Sequence, residues 1–550
     1  MQLSLETSRQ FANLLRFAPD YREHDKRIGW ANSNGIPLCF IDDGALDAST
    51  GLSDWLLTKE LALRELPQEK LTWYSEYCAV AEAFDRQGIL ICLTKTNGPF
   101  PFWSGNIDSI VIEEDLQEAC RTLESMGFVR ISWLDEPHKL LYKKFCNGKL
   151  VISLHLHSRI AWDATYILGE DAIKENRLIN SEMKIRIING GPLIATLLAH
   201  AFLENRSVRL IDAFMVENVI QGNRESVDDA YRIAKKMGWG REFFLAAIAF
   251  LEADKILKGD KGSSLLEGFD RLLTPHDIDV LTKTLVRKIG YQKEFPISLP
   301  LLPTKGLLMK RIFFRSDMPG FESGFSRIGF FLKNYFIRQL GNNRVKGRII
   351  AISGPDGSGK TTIARGIAEL MGDMGVDFDT YWSRYGSVSK IFRKVKIERS
   401  NDSHKIDNAD MRTVTIKSRI KLAENAVRLK VKSISTRVSG RNVIFDRYFM
   451  DTKVDFQMET GSKSNPLAKV GDFSVLKPDL HLILIANPGT LASRSEESLE
   501  CSTMKAGMYS AIIQGNNDNR IMRIDASRKV GNIIDDIAPI LARSFSYEMV

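Results

Sequence analysis

The chain has 550 residues, 44% of them hydrophobic and 26% charged, which are the proportions of a soluble globular protein. That length asks for two or three hydrophobic cores rather than one. The formal charge of +8 favours anionic partners without choosing among nucleotides, nucleic acid and anionic lipid, and it reads equally well as solvated surface. The longest apolar run, Phe243–Leu251, is too short to cross a bilayer, and the polar Met1–Gln10 is wrong for a secretory signal. The six cysteines are scattered, away from the usual zinc and disulfide spacings. A cytoplasmic protein with reduced thiols and no transmembrane segment is expected.

In chain order, residues 1–65 match no pattern. Region 66–185 begins with Ile89-Leu90-Ile91-Cys92-Leu93, an apolar strand, followed by the loop Lys95–Gly105 and a second short strand, Ile107–Val111. A helix is expected over Asp115–Met126, ending at Gly127, and a strand over Phe128–Trp133. The loop Lys95-Thr96-Asn97-Gly98-Pro99-Phe100, the triplet Asn106-Ile107-Asp108 and the strand Ser153-Leu154-His155 carry a resemblance. They resemble the K-T-x-x-P-F, D-I-D and D-L-H pattern of nucleotidyltransferase-fold domains that precede thymidylate kinase-like domains in some prokaryotic proteins.

The resemblance implies an acid triad holding two magnesium ions. Asn106 and Ser153 replace two of the three acids and only Asp108 remains, so a degenerate domain is expected. His155 and His157 alternate on one strand face; with no acid near them in the sequence, they read as packed or exposed rather than ligating.

Region 186–300 reads as a helical extension, with helices over Leu193–Leu203 and Val208–Ile220. His200 and Asp212 match positions often seen in that N-terminal family. A second Asp277-Ile278-Asp279 follows Thr274-Pro275 and reads as acids on a helix N-terminus. Region 301–346 is a basic, Phe-rich connector. Its candidate helix Phe325–Leu340 either packs the two halves together or lies on a membrane.

The chemistry concentrates in 347–550. The β-branched strand Arg348–Ser353 runs into Gly354-Pro355-Asp356-Gly357-Ser358-Gly359-Lys360-Thr361-Thr362 and then a helix over Ile363–Met371. This is G-x-x-x-x-G-K-T with a strand before it and a helix after it. The glycines turn consecutive N–H groups inward as an anion nest, and the helix dipole adds to it. Lys360 reaches β- and γ-phosphates, and Thr361 offers a hydroxyl to magnesium. Asn442-Val443-Ile444-Phe445 is a second buried strand, ending in Asp446-Arg447-Tyr448. Pro478-Asp479-Leu480 opens a third, and Ile524-Asp525-Ala526-Ser527 marks the exit of a last strand before a closing helix, Val530–Ser544.

This ordered set resembles the thymidylate kinase family. By that resemblance Asp356 and Arg447 face the acceptor nucleotide, Asp446 serves the metal, and Arg494 reaches the transferring phosphoryl group. Arg384, in Tyr381–Gly386, is a further candidate for an acceptor phosphate. The family's lid carries several basic residues, whereas Arg494 here is followed by Ser495-Glu496-Glu497, with Lys505 and Arg520 as the next cations. Lys390–Arg441 is basic, and Ile416, Ile420, Ala423, Val427, Val431 and Ile434 share one helical face. That face is expected to be buried with the basic residues solvated; a nucleic-acid stripe is the alternative.

The expected architecture is α/β: a P-loop kinase domain with a parallel sheet, preceded by a nucleotidyltransferase-like α/β domain and a helical extension. The expected activity is ATP- and Mg2+-dependent phosphorylation of a nucleoside monophosphate or related phosphorylated acceptor, and the resemblance implies a homodimer. The alternative is an ATP-gated module that controls a partner or nucleic acid.

Overall fold

The computed structural model describes, in the main, residues 68–95, 106–131, 138–179, 185–258, 347–382, 408–461, 475–515 and 518–545. Most of 1–65, Asp277–Asp279, most of the connector, and Arg384 lie outside the described residues; of the expected helix Phe325–Leu340, residues 325–329 are described and helical. The chain divides into two compact units, Met1–Lys144 with Val151–Tyr335, and Phe145–Leu150 with Phe336–Val550. No described helix is long and apolar enough to cross a membrane. Cys78, Cys92, Cys120, Cys146 and Cys501 are free thiols.

Among the described elements of the first unit are helix α1 (Gln68–Asp85), β1 (Cys92–Leu93), β2 (Ile107–Ile110), α2 (Leu116–Ser125) and β3 (Phe128–Ile131). Two long strands come next, β4 (Lys139–Cys146) and β5 (Lys149–His157), then a small hairpin of β6 (Ala161–Trp162) and β7 (Thr165–Tyr166). After α3 (Glu170–Glu175), β8 (Arg177–Ile179) and β9 (Arg186–Ile188) complete a mixed seven-stranded sheet ordered β3-β4-β5-β2-β1-β9-β8. One core joins Trp73, Tyr77, Val80 and Phe84 of α1 and Ala119 and Leu123 of α2 to sheet residues such as Ile107 and Leu154. These apolar positions recur at helical spacing, so each helix buries one stripe.

A second core is helical. It holds α4 (Gly190–Ala199), α5 (Leu210–Gly222), α6 (Ser226–Lys236) and α7 (Gly240–Lys258), with the short pair β10 (Ser207–Val208) and β11 (Ile297–Ser298) beside it. The helix expected over Leu193–Leu203 changes character: α4 stops at Ala199 and the chain winds on as a π-helical turn, His200–Asn205. Parallel pairing of β2 with β5 sets Asp108 beside His155 and Ile110 beside His157. The two histidines therefore do have an acid next to them, contrary to the sequence expectation, because strand pairing joins positions far apart in the chain.

The second unit is a five-stranded, all-parallel sheet: β12 (Ile349–Ser353), β13 (Phe378–Trp382), β14 (Asn442–Asp446), β15 (Leu480–Ile485) and β16 (Ile521–Asp525). Their order is β13-β14-β12-β15-β16, with β12 in the centre and every residue of β12 and β15 buried. Parallel neighbours need crossovers, and the helices supply them: α8 (Lys360–Asp373), α9 (Asn408–Ser439), α10 (Phe449–Thr460), α11 (Pro488–Arg494) and α12 (Leu499–Gln514), with α13 (Val530–Phe545) closing the chain. Asp479 anchors the sheet's central strand, accepting the Ile349 amide at 2.7 Å and the Arg437 guanidinium at 2.9 Å.

Helix α9 overturns one expectation. Its apolar stripe faces outward, with Val427 and Val431 63% exposed and Val438 83% exposed. The buried side is Ser418, Leu422, Asn425, Ala426, Leu429, Ser433 and Thr436. Polar groups on α10 explain the choice: Asn425 donates to Thr452, Ser418 donates to Glu459, and the Ser433 hydroxyl meets Tyr448 Oη at 3.4 Å. Small and polar residues with matched partners pack where periodicity alone would put branched side chains.

Candidate functional site

The site forms where β12 and β14 end side by side. Ser353 leaves β12 into a loop in which Gly354, Gly357 and Gly359 all hold positive φ. A Cβ on Gly354 would sit 2.4 Å from the Leu484 carbonyl oxygen, and one on Gly357 would sit 2.6 Å from that of Leu491. Only glycine fits there, and this lets the loop curl tightly before α8 begins at Lys360. The Ser358 amide donates to the Pro355 carbonyl at 3.2 Å, while Ser358 Oγ is buried without a partner. Thr362 is exposed on the first turn of α8.

Lys360 is buried, and its Nζ donates to the Gly354 and Pro355 carbonyls at 2.7 Å each, with Asp356 at 3.6 Å. Burial, the largest influence, pulls its ammonium below the usual lysine value against Asp451, Asp356 and Asp446. Thr361 Oγ1 donates to Asp446 Oδ2 at 2.5 Å, and Asp446 Oδ1 is buried without a partner. A hydroxyl and a carboxylate with one unused oxygen form a hard-oxygen pair suited to magnesium. The donor set therefore fits the metal that a nucleoside triphosphate carries.

Arg447 follows Asp446 with φ of 78°, a left-handed conformation that costs a non-glycine residue about 1–2 kcal/mol. Its amide is tied to the Ile352 carbonyl at 3.0 Å, and its guanidinium reaches Asp356 Oδ1 at 2.5 Å. Burial alone would raise the Asp356 carboxyl. Lys360, Arg447 and Lys505 together hold it well below the usual carboxylate range. Arg494 lies with its Cβ against the Gly357 turn, and its guanidinium donates to the Ala526 carbonyl at 3.1 Å, at the exit of β16.

Lys505, Asp451 and His481 were assigned no role from the sequence, where Lys505 stood only as the next cation after Arg494. Lys505, in the middle of α12, is buried at the site, 3.3 Å from Asp356 Oδ2 and paired with Glu497. It stands eleven positions past Arg494, and no local pattern links it to the loop. Asp451 accepts four hydrogen bonds: Ser353 Oγ (2.6 Å), the Gly354 amide (3.1 Å), the Tyr448 amide (2.8 Å) and Tyr509 Oη (2.8 Å). It locks the start of the phosphate loop to the N-terminus of α10, where Tyr448 and Asp451 sit at the ends of a capping box. His481 Nε2 meets Ser353 Oγ at 2.9 Å, and burial drives its imidazole down to about 4, so it is neutral at physiological pH.

The chain therefore gathers Asp356, Lys360, Thr361, Asp446, Arg447 and Lys505 at one sheet end. No family model matches the sequence. It is 26% identical to the thymidylate kinase of Ligilactobacillus salivarius over 215 residues, 36% of this chain and 98% of that protein. It is 24% identical to a probable thymidylate kinase of Archaeoglobus fulgidus over 35% of this chain and 94% of that protein. A probable thymidylate kinase of Pyrococcus horikoshii is 30% identical over 26% of this chain and 65% of that protein. Among solved structures, a deoxyadenosine kinase from M. mycoides with bound dCTP matches 36% of this chain and 99% of that one, with 18% identity and a TM-score of 0.26. The stretch these curated relatives share with the chain is nucleotide-kinase-like and covers about a third of its length.

Proposed function

We propose that the P-loop unit is an ATP- and magnesium-dependent phosphotransferase acting on a nucleoside monophosphate or related phosphorylated acceptor. The observation that carries this reading is the convergence of Lys360, Asp356 and Arg447 beside the Thr361–Asp446 pair, at the carboxyl ends of β12 and β14. Open α/β sheets bind ligands at that end.

In this reading the loop from Gly354 to Thr362 cradles the β- and γ-phosphates, and Lys360 leaves its backbone carbonyls for their oxygens. Thr361 and Asp446 would hold a magnesium ion, whose charge would offset that on the transferring group. Arg447 and Asp356 place the acceptor, with Arg384 as a further candidate for its phosphate. An acceptor phosphate oxygen attacks the γ-phosphorus, and the β–γ bridging oxygen leaves with ADP. Lys505 and Arg494 supply the cations that a fuller lid would supply.

The pairing of Lys505 with Glu497 favours a second reading, in which ATP occupancy gates a partner or nucleic acid without acceptor turnover. ADP release separates the two. Purified protein with ATP and magnesium is tested across a panel of nucleoside monophosphates beside a Lys360→Ala variant. Turnover that rises with one acceptor and disappears in the variant supports the kinase and identifies its substrate class. ATP binding at an affinity that Lys360→Ala weakens, with no acceptor stimulation, sinks the kinase reading.

A further inference from the structure

The first unit carries a second charged centre that the proposed phosphotransfer does not use. Parallel strands β2 and β5 put Asp108, His155 and His157 on adjoining positions. Asp108 Oδ1 lies 3.0 Å from His157 Nε2 and 3.4 Å from His155 Nδ1. One donor atom from each of the three residues falls within 4.8 Å of the others. A tetrahedral ion with bonds of about 2.0–2.2 Å spaces its ligands roughly 3.3 Å apart, close to both separations from Asp108.

We propose that Asp108, His155 and His157 are the protein ligands of a divalent metal ion of the zinc class, in the first unit and separate from any magnesium at the phosphate loop. Imidazole nitrogens with one carboxylate oxygen select borderline first-row cations over magnesium or calcium.

One feature beyond spacing supports it. His157 is 1% exposed beneath the site while Asp108 and His155 are 17% and 16% exposed. That leaves an approach for the ion and for a water in its fourth position.

One cation already competes. Lys95 Nζ donates to Asp108 Oδ1 at 3.1 Å and lies 3.7 Å from Glu204, whose Oε2 is buried and accepts no hydrogen bond. Metal entry moves the ammonium from Asp108 onto Glu204, which Lys139 and His200 also face. Lys95 therefore weakens the site without abolishing it, as a like charge beside the ion must.

The test uses the full chain, stripped with chelator and titrated with Zn2+, and separately with Mg2+, by calorimetry. Co2+ absorption reports on the ligand field. The expected result is one Zn2+ per chain in preference to Mg2+, weakened about a hundredfold by Asp108→Asn and by His157→Gln, and tightened about tenfold by Lys95→Met. Circular dichroism checks each fold; if His157→Gln does not fold, His155→Gln, at the more accessible ligand, is read in its place. The proposal is overturned if the wild-type chain binds no Zn2+ tighter than about 1 mM. Binding that Asp108→Asn and His155→Gln leave unchanged overturns it too, since the ion then sits elsewhere. None of these readouts depends on ATP turnover.

Discussion

The two charged centres both set a lysine and an aspartate beside the strands of a sheet, and they differ in what the lysine touches. At the phosphate loop, Lys360 rests on backbone carbonyls at 2.7 Å, with Asp356 farther off at 3.6 Å. In the first unit, Lys95 lies directly on the Asp108 carboxylate at 3.1 Å. An ammonium held by neutral dipoles is readily surrendered to an incoming anion, whereas one held by a buried carboxylate is displaced only by another cation. The sign of the ligand each centre accepts thus follows from the partner of its lysine.

The largest expected effect tests that contrast directly. Lys95→Ala leaves Asp108 with histidines alone and is expected to destabilise the protein by about 3–5 kcal/mol in urea denaturation. Lys360→Ala leaves Asp356 still paired with Arg447 and Lys505, so the unfolding midpoint is expected to move far less, while ATP affinity collapses. Equal destabilisation by both variants would break the comparison.

Within the P-loop unit, the two faces of α9 offer a parallel contrast. Leu429→Ala, on the buried polar-lined face, is expected to cost about 2–5 kcal/mol. Val431→Ala, on the outward apolar stripe, should stay within about 0.5 kcal/mol. A large loss at Val431 would mean that the stripe is covered in solution.

The pH dependence of the sheet end is next. His481 is buried against Ser353 Oγ and the Tyr448 ring, with Asp451 and Asp518 as the charges acting on it, and its folded pKa is about 4 against an ordinary 6.5. A depressed imidazole means that the unfolded chain takes up the proton first. Its contribution is complete above pH 6.5 and falls away as the pH drops through 4, by on the order of 3 kcal/mol. His481→Gln is expected to flatten the stability–pH curve in that window; an unchanged curve would show that the ring is not held neutral.

The smallest effect concerns Lys505, the cation to which the sequence assigned no role. Lys505→Ala is expected to lower acceptor-stimulated ADP formation about tenfold with the fold intact by circular dichroism. If Lys505 serves only to hold Glu497, turnover stays and thermal stability drops instead.

Much of the phosphate-loop site was legible because its parts are local. Gly354 to Thr361 are contiguous, and the strand before and helix after are readable from a β-branched run and helical spacing. Asp446 and Arg447 end a second apolar strand, at the carboxyl end of the parallel sheet where ligands bind. Lys505 was not legible, because its place depends on how α12 returns across the sheet. Asp451 was not legible either, because its bonds to Ser353 and Gly354 join segments about a hundred residues apart. The α9 stripe misled because periodicity identifies a face without identifying the face it meets, and α10 offered hydroxyl and carboxylate partners.

By itself, then, the sequence determined the elements whose causes lie within a few residues: the glycine-rich turn, the buried parallel strands, the helix starts and the loop lysine and threonine. Only the tertiary structure decided which distant residues share a site. Strand register joined Asp108 to His155 and His157 across the sheet, and helix packing delivered Lys505 to Asp356. The physical reason is that backbone propensities act over short stretches, while charges and hydrogen-bond donors act through space, between whichever segments the cores bring together.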